Sequence, residues 1–472
     1  MGAAVLKLSG ISDAEKKATR ILALETKIAQ THASRADSDD VLKGNNPWRT
    51  VEFDSKAPGL DWKAFFKAAG LQTQTGFIAW HPTAIKGISS LAASEPLEDW
   101  KDYLALRVIE HFSPYLPKAF VDERFAFYGK TLQGTPEINA RWKRAVNATN
   151  AVLGEVVGKL YVEKYFPPES KAQVEAMVTN ITAAFGARID RLTWMAPSTK
   201  AEAKRKLASL KVGVGYPDKW RDYSSLAISR NDALGNLLRA EEFEYRYRRA
   251  LLGQPVDRSE WVMTPQTVNA VNLPILNALN FPAAILQAPY FNPKASAAFN
   301  YGAIGATIGH EISHSFDDLG AQFDSTGRLR NWWTPSDLKQ FQAAGEALAI
   351  QFDGYKPLPD ASVNGHQTLS ENLADLAGLT STYDAYQKSL GGKPALVVDG
   401  LSGDQQFFLS YAQNWRSYQR PEALRQALIG DGHAPARYRA STVRNIDAWY
   451  AAFPVKPGNT LYLPPDKRVR VW

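Results

Sequence analysis

The chain contains no cysteine, so disulfide bridges, thiolate metal sites and cysteine nucleophiles are excluded together. That absence leaves the compartment open, because cysteine-free proteins occur in oxidising as well as reducing surroundings. Long hydrophobic runs are missing too. No apolar stretch reaches the roughly 18 residues that would cross a bilayer. The opening Met1-Gly2-Ala3-Ala4-Val5-Leu6-Lys7 is too short for the apolar segment of a signal peptide, and reads as a start placed ahead of an excised or mature segment. The net charge of +7 is spread with both signs mixed, and no Lys/Arg block interleaved with aromatics forms a nucleic-acid stripe. A nucleic-acid partner is therefore not expected. Internal repeats and low-complexity segments are also absent.

What is present is a soluble globular composition, 45% hydrophobic and 22% charged. At 472 residues it exceeds what one compact core can organise, so two or three domains are expected. Thirteen tryptophans, 19 tyrosines and 21 phenylalanines suit large cores or an aromatic-lined cleft. The first half reads as helical. Ser12 and Glu15 have capping-box spacing ahead of Ile21, Leu22, Leu24 and Ile28. Residues 34–62 read as loop or short connections. Amphipathic helices are expected over 97–112, 140–165 and 170–195, the last with Val174, Met177, Ile181, Phe185, Ile189 and Leu192 on one stripe. The sequence breaks near Gly213-Val214-Gly215-Tyr216-Pro217, and a further helix is expected over 233–252. Beyond it, residues 267–272 alternate like a strand, and four prolines punctuate the next twenty residues. These shifts place a domain boundary at residue 234, with a helical region and linker over 1–233 and a second domain over 234–472.

The strongest chemical signal is His310-Glu311-Ile312-Ser313-His314. On a helix, histidines four apart leave the same face, so two imidazole nitrogens can reach one zinc ion at about 2.0–2.1 Å. Glu311 then stands beside any water the ion carries, where a general base is useful. A catalytic zinc commonly takes three protein ligands. The continuation with a third histidine at position 320 is absent, since Asp317 and Gly320 occupy the diagnostic positions. A carboxylate from elsewhere is then required. Glu371-Asn372-Leu373-Ala374-Asp375 supplies a candidate, with Glu371 as ligand and Asp375, four residues on, placed to accept the N–H of a ligating histidine. Alone, such a pair is most often a solvated acidic face; two such motifs in one chain favour the metal site.

The residues resemble the neprilysin/endothelin-converting-enzyme family of zinc metalloendopeptidases. The resemblance runs through Val268-Asn269-Ala270, Phe281-Pro282-Ala283, Asn300-Tyr301-Gly302, Gly309-His310-Glu311 and Phe316-Asp317-Asp318. It continues in Trp332-Trp333-Thr334, the Glu371–Asp375 pentad, His433-Ala434-Pro435, Tyr438-Arg439 and Arg470-Val471-Trp472. It implies one Zn2+ per chain on His310, His314 and Glu371, with Asp375 behind His310 and Glu311 as general base. It further implies that His433 steadies the oxyanion and that Arg439 grips a substrate carbonyl. Asn269 and Ala270 would pair with the substrate backbone, and Ile285, Tyr290 and Trp415 would line the S1′ pocket. His32, His81, His111 and His366 have no such counterpart and read as structural or surface.

The fold expected from this resemblance is mainly α with some β: two lobes, a thermolysin-like zincin catalytic domain and a helical cap. The expected activity is hydrolysis of internal bonds in oligopeptides, in the periplasm or outside the cell. Full members of the family begin well before the first residue of this chain, so the cap is expected to be shortened. That leaves a second reading open, of a zinc-containing peptide-binding protein that cleaves weakly or not at all. Val271 and Asn272 replace an aromatic pair common in the family, and Ala306, Thr307 and Asn414 stand where larger apolar residues often line S1′. No feature of the sequence sets the oligomeric state.

Overall fold

The glycines at 302, 305 and 309 lead into the histidine motif, and the computed structural model, which describes residues 1–472, shows what they permit. Ala297–Asn300 begins as α-helix, Tyr301–Gly305 widens into a π turn, and Ala306–His314 resumes as α-helix. A Cβ on Gly302 would stand 2.1 Å from the carbonyl oxygen of Phe407, on the helix Gly403–Asn414. A Cβ on Gly309 would stand 2.5 Å from the carbonyl oxygen of Gly378, on the helix Leu369–Ser389. Gly378 reciprocates, since its Cβ would lie 2.4 Å from the backbone nitrogen of His310. No side chain fits at either position, so the histidine helix and the helix Leu369–Ser389 touch backbone to backbone. Glu371 lies seven residues before Gly378, two turns along the same helical face.

These helices sit in the core of the larger of two compact units, formed by residues 140–228 and 239–472. Around them pack Val174, Ile181, Phe185 and Ile189 of the helix Pro168–Arg191, together with Ile304, Ile308, Ile312, Leu376, Leu379 and Phe407. Arg188 of that helix donates to Asp384 Oδ1 at 3.0 Å and to the backbone oxygen of Trp472 at 3.1 Å. The Trp472 ring joins Phe185, Phe316, Trp333 and Phe341, with Phe316 following His314 by two residues. A three-stranded sheet flanks the site. Its central strand, Ala278–Pro282, pairs in parallel with Lys211–Gly215 and antiparallel with the edge strand Val271–Leu273. The Gly213–Pro217 break in the sequence is thus largely the end of a strand. The alternation over 267–272 yields regular strand only from Val271, because residues 264–267 close into a turn (Thr267 N–H to Thr264 carbonyl, 2.9 Å).

The smaller unit consists of residues 1–139 and 229–238. Its helices Gly2–Leu8, Ala14–Gln30 and Leu97–Phe112 bury Val5, Leu6, Ile21 and Leu106. A second cluster gathers Trp48, Phe53, Trp62 and Phe66 beside the two-stranded ribbon Pro47–Arg49 and Gly76–Ile78. The Ser12/Glu15 capping box does not form. The helix starts at Ala14, one residue too late for Ser12 to cap it, and Asp13 takes the preceding position in a left-handed conformation (φ 55°).

The spatial division also departs from the expected boundary at residue 234, which falls inside the helix Ala233–Ala250. Residues 140–228 join the metal-motif half because Pro168–Arg191 packs on its helices and Lys211–Gly215 pairs with its sheet. Neither contact leaves a break in composition that would mark it in the sequence. No helix is long and apolar enough to cross a membrane.

Gly378→Ala tests the backbone contact. It should force the two helices apart and cost about 1–3 kcal/mol, read as a lower thermal midpoint. An unchanged midpoint would show that the helices can separate without penalty.

Candidate metal and peptide-cleavage site

The contact at Gly309 and Gly378 faces the motif His310–His314 toward the first two turns of the helix Leu369–Ser389. His310 Nε2 and His314 Nε2 lie 2.9 Å apart. Glu371 Oε2 is 3.2 Å from the first, and Glu371 Oε1 is 3.5 Å from the second. The three residues are the one group of His, Asp or Glu side chains whose ligand atoms converge, all within 4.8 Å of one another. Ligands of one zinc at about 2.0–2.1 Å stand roughly 3–3.5 Å apart, so the spacing fits.

The far side of each imidazole is also fixed. His310 Nδ1 sits 2.9 Å from Asp375 Oδ1, and His314 Nδ1 sits 2.6 Å from Asp317 Oδ2. With those protons directed at carboxylates, both Nε2 lone pairs are turned toward the same point. Glu371 Oε2 is buried and completes no hydrogen bond, although His310 Nε2, His433 Nε2 and Arg439 Nη2 stand 3.2, 3.2 and 3.3 Å away. Converging lone pairs and an unsatisfied carboxylate oxygen are what a divalent cation would complete.

Titration follows the same crowding. Burial opposes charge on His310, but the Asp375 and Glu371 carboxylates beside it outweigh burial and raise its pKa to about 10. Burial raises Glu311, with His310, His314 and Arg439 pulling the other way. Burial also acts against Glu371, yet His310 and His433 hold it well below the ordinary carboxylate range. Asp375 is lowered despite burial because the Arg439 guanidinium clamps it through Nε and Nη2, each at 2.8 Å. Arg439 is raised in turn; burial opposes its charge, and Asp375 more than restores it. Arg439 also lies over the Trp415 ring, 4.3 Å from its centre.

A cavity of about 550 Å³ opens onto these groups. It brings together every residue singled out from the sequence: His310, Glu311, His314, Glu371, Asp375, His433, Arg439, Asn269, Ala270, Ile285, Tyr290 and Trp415 all line it. Ala306, Thr307 and Asn414 line it as well. His433 is half exposed, on the turn after the helix Pro421–Gly430, and its Nδ1 lies 2.7 Å from Asp431 Oδ1. Asn269 and Ala270 stand just before the edge strand rather than within it.

Two contributors went unread in the sequence. Asp317, noted there as excluding a third histidine, holds His314; its i+3 offset from that histidine was the available signal. Asn272, noted only as a missing aromatic, donates from Nδ2 to the Glu311 carbonyl at 2.7 Å and to Ser315 Oγ at 2.9 Å, tying the edge strand to the histidine helix.

The Asp375–Arg439 pair is buried, so removing one partner strands the other. Arg439→Met should destabilise the protein by about 3–5 kcal/mol, measured by urea unfolding of metal-free protein so that zinc loss does not contribute. An unfolding midpoint equal to that of the wild type would show that the pair has no net stabilising role.

Comparison with known proteins matches both parts of the chain to one family. The models of peptidase family M13 match residues 1–217, as its N-terminal domain, and residues 269–469. The neutral endopeptidase of Lactobacillus helveticus is 34% identical over 99% of this chain and 71% of its own length. Human endothelin-converting enzyme 1 is 31% identical over 99% of this chain and 62% of its own. The chain therefore spans between about three fifths and seven tenths of these relatives. Among solved structures, the inhibitor complex of Mycobacterium tuberculosis zinc metalloprotease ZMP1 superposes with a TM-score of 0.96 at 41% identity, covering 100% of this chain and 73% of that one. PepO from Lactobacillus rhamnosis superposes with a TM-score of 0.92 at 34% identity, covering 100% and 74%. With both halves matched in order and the fold shared from end to end, this chain belongs to peptidase family M13, the neprilysin-like zinc metalloendopeptidases.

Proposed function

We propose that the chain hydrolyses internal peptide bonds of oligopeptides, using one zinc ion held by His310, His314 and Glu371. The observation that carries this reading is the convergence of those three donors, with Glu311 beside them, on one cavity. The names of the relatives, neutral endopeptidase and endothelin-converting enzyme, support the same class of substrate. The ion, when bound, supplies a Lewis acid that acidifies water and polarises the scissile carbonyl.

The chain's own groups supply the rest. Asp375 and Asp317 fix the imidazoles so that both Nε2 atoms face inward. Glu311, whose pKa burial raises, accepts a proton from the attacking water and passes it to the leaving amine. His433 has Nδ1 2.7 Å from Asp431 Oδ1, and Glu371 raises its pKa; a proton on its Nε2 would be donated to the oxygen that gains charge. Arg439 gives two N–H donors to Asp375, and its Nη2 also stands 3.4 Å from His310 Nδ1 and 3.3 Å from Glu371 Oε2, which leaves Nη1 to donate to a substrate carbonyl. Asn269 and Ala270 lead into an edge strand on which an extended peptide can align by main-chain hydrogen bonds. Ile285, Tyr290 and Trp415 receive the side chain after the scissile bond, with the polar Asn414 beside them. The family resemblance supports a periplasmic or extracellular setting for this activity.

Glu311→Gln should keep its zinc and lose about 10²–10⁴-fold in kcat/KM, while Glu371→Ala should lose the zinc itself. Metal analysis beside turnover of a quenched fluorescent peptide reads both, and a chelator should abolish turnover until zinc is returned. Substantial hydrolysis by zinc-loaded Glu311→Gln would reject the mechanism. A wild-type chain that holds zinc and leaves peptides intact would establish the peptide-binding alternative. His433→Ala should lower kcat by about 10²–10³-fold with a smaller change in KM; an unchanged kcat would remove His433 from the oxyanion role.

A further inference from the structure

Lys206 is fully buried, 0% exposed, on the helix Pro197–Ala208. Its ammonium donates to the carbonyl of Gly320 at 2.7 Å and to that of Phe323 at 2.7 Å. It also lies over the Phe316 ring, 5.7 Å from its centre. All three contacts fall on the segment that leaves the histidine helix. Burial pulls the Lys206 pKa down to about 7, while Asp317, Asp324 and Glu202 act to restore its charge.

The segment it grips holds Asp317. The Gly320 N–H donates to Asp317 Oδ1 at 2.7 Å, and the Leu319 N–H donates to the same oxygen at 3.0 Å. The other oxygen of Asp317 faces His314 Nδ1 at 2.6 Å and accepts from Ser370 Oγ. Gly320 itself is pressed on the end of the histidine helix, since a Cβ there would stand 1.8 Å from the His314 carbonyl oxygen. Lys206 thus holds the Gly320 carbonyl, the N–H of the same residue holds Asp317, and Asp317 faces the imidazole of His314, a path of hydrogen bonds joined through the Gly320 backbone.

We infer that Lys206 is a positioning residue for the metal site: by pinning the Gly320–Phe323 turn it sets Asp317, and through Asp317 the orientation of His314. The inference rests on the reading of His310, His314 and Glu371 as zinc ligands. Lys206 touches neither metal nor substrate. Its effect reaches the site as the tightness and geometry with which His314 is held.

The test is the zinc affinity of Lys206→Met, measured by competition with a chelating dye, with the absorption spectrum of the cobalt-substituted protein as a second readout. Zinc should bind about tenfold more weakly, the cobalt spectrum should shift, and kcat should fall with little change in KM. Thr199→Val is the control. It lies on the same helix and loses a 2.6 Å hydrogen bond to Asp337, which has no part in the path. If it weakens zinc as much as Lys206→Met at an equal loss of thermal midpoint, Lys206 is merely structural and the inference fails. In an Asp317→Asn background Lys206→Met should add nothing to the loss of zinc affinity; additive losses would overturn the path. Should Lys206→Met not fold, Lys206→Gln takes its place with the same expected and overturning results, and wild-type zinc affinity in Asp317→Asn rejects the inference. Glu371→Ala separates this from the underlying reading. If that variant keeps zinc, the ligand assignment itself has failed; if it loses zinc while Lys206→Met does not, only the role of Lys206 falls.

Discussion

Everything at this site depends on two helices coming closer than side chains allow. Gly309 and Gly378 remove the last atoms between the histidine helix and the helix Leu369–Ser389, so backbone rests on backbone. His310 and Glu371, the proposed ligands, sit beside and before these glycines, at one and seven residues' distance. At that separation the short side chains of a histidine and a glutamate span the gap and meet. At the 8–10 Å usual between packed helices, the same residues would need longer arms or a shifted register. The glycines lower helix propensity by about 1 kcal/mol each, and the hydrophobic packing around Ile308, Ile312, Leu376 and Leu379 offsets that loss.

The close approach concentrates charge. Glu311, Glu371, Asp375 and Asp317 gather around two imidazoles, with Arg439 the buried cation among them. Carboxylates this near one another each need a definite partner. Asp375 has Arg439, Asp317 has two backbone N–H groups, and Glu371 has the imidazoles of His310, His314 and His433 around it. Glu311 has the weakest compensation of the four, and burial raises it. The carboxylate with least support is therefore the one suited to take up a proton. The base proposed for Glu311 is thus supported by how the partners are distributed as well as by the order of letters in the motif.

Much of this was legible in the sequence, for reasons that differ by residue. The pair at 310 and 314 and the pair at 371 and 375 were readable because helical period fixes which side chains share a face, and both pairs lie on helices. The long helices announced themselves similarly, 97–112 at the bounds expected. The strand Lys211–Gly215 was not readable: two of its five residues are glycine, and its partner lies more than sixty positions away, so no local alternation marks it. The division into units escaped for the same reason, since it rests on a helix and a strand packing against distant segments. Ser12 and Glu15 had the spacing of a cap, but a turn set the helix start one residue later. Lys206 was invisible as anything but surface charge, because nothing in a helix with lysines at 200, 204 and 206 says which of them points inward.

The wide turn at Tyr301–Gly305 has a consequence for how the chain can vary. A π turn holds one residue more than an α turn, and each residue of an α-helix advances the helix by about 100°. Gly302, before the end of that turn, is seated on Phe407, while Gly309, after it, is seated on Gly378. The turn works as a phase adjuster between two fixed seats. Deleting one residue there would leave each seat intact and rotate one out of register with the other, carrying His310 and His314 away from Glu371 together. In this stretch the chain can exchange residues but not change its count, so length is held here as strictly as the identity of any ligand.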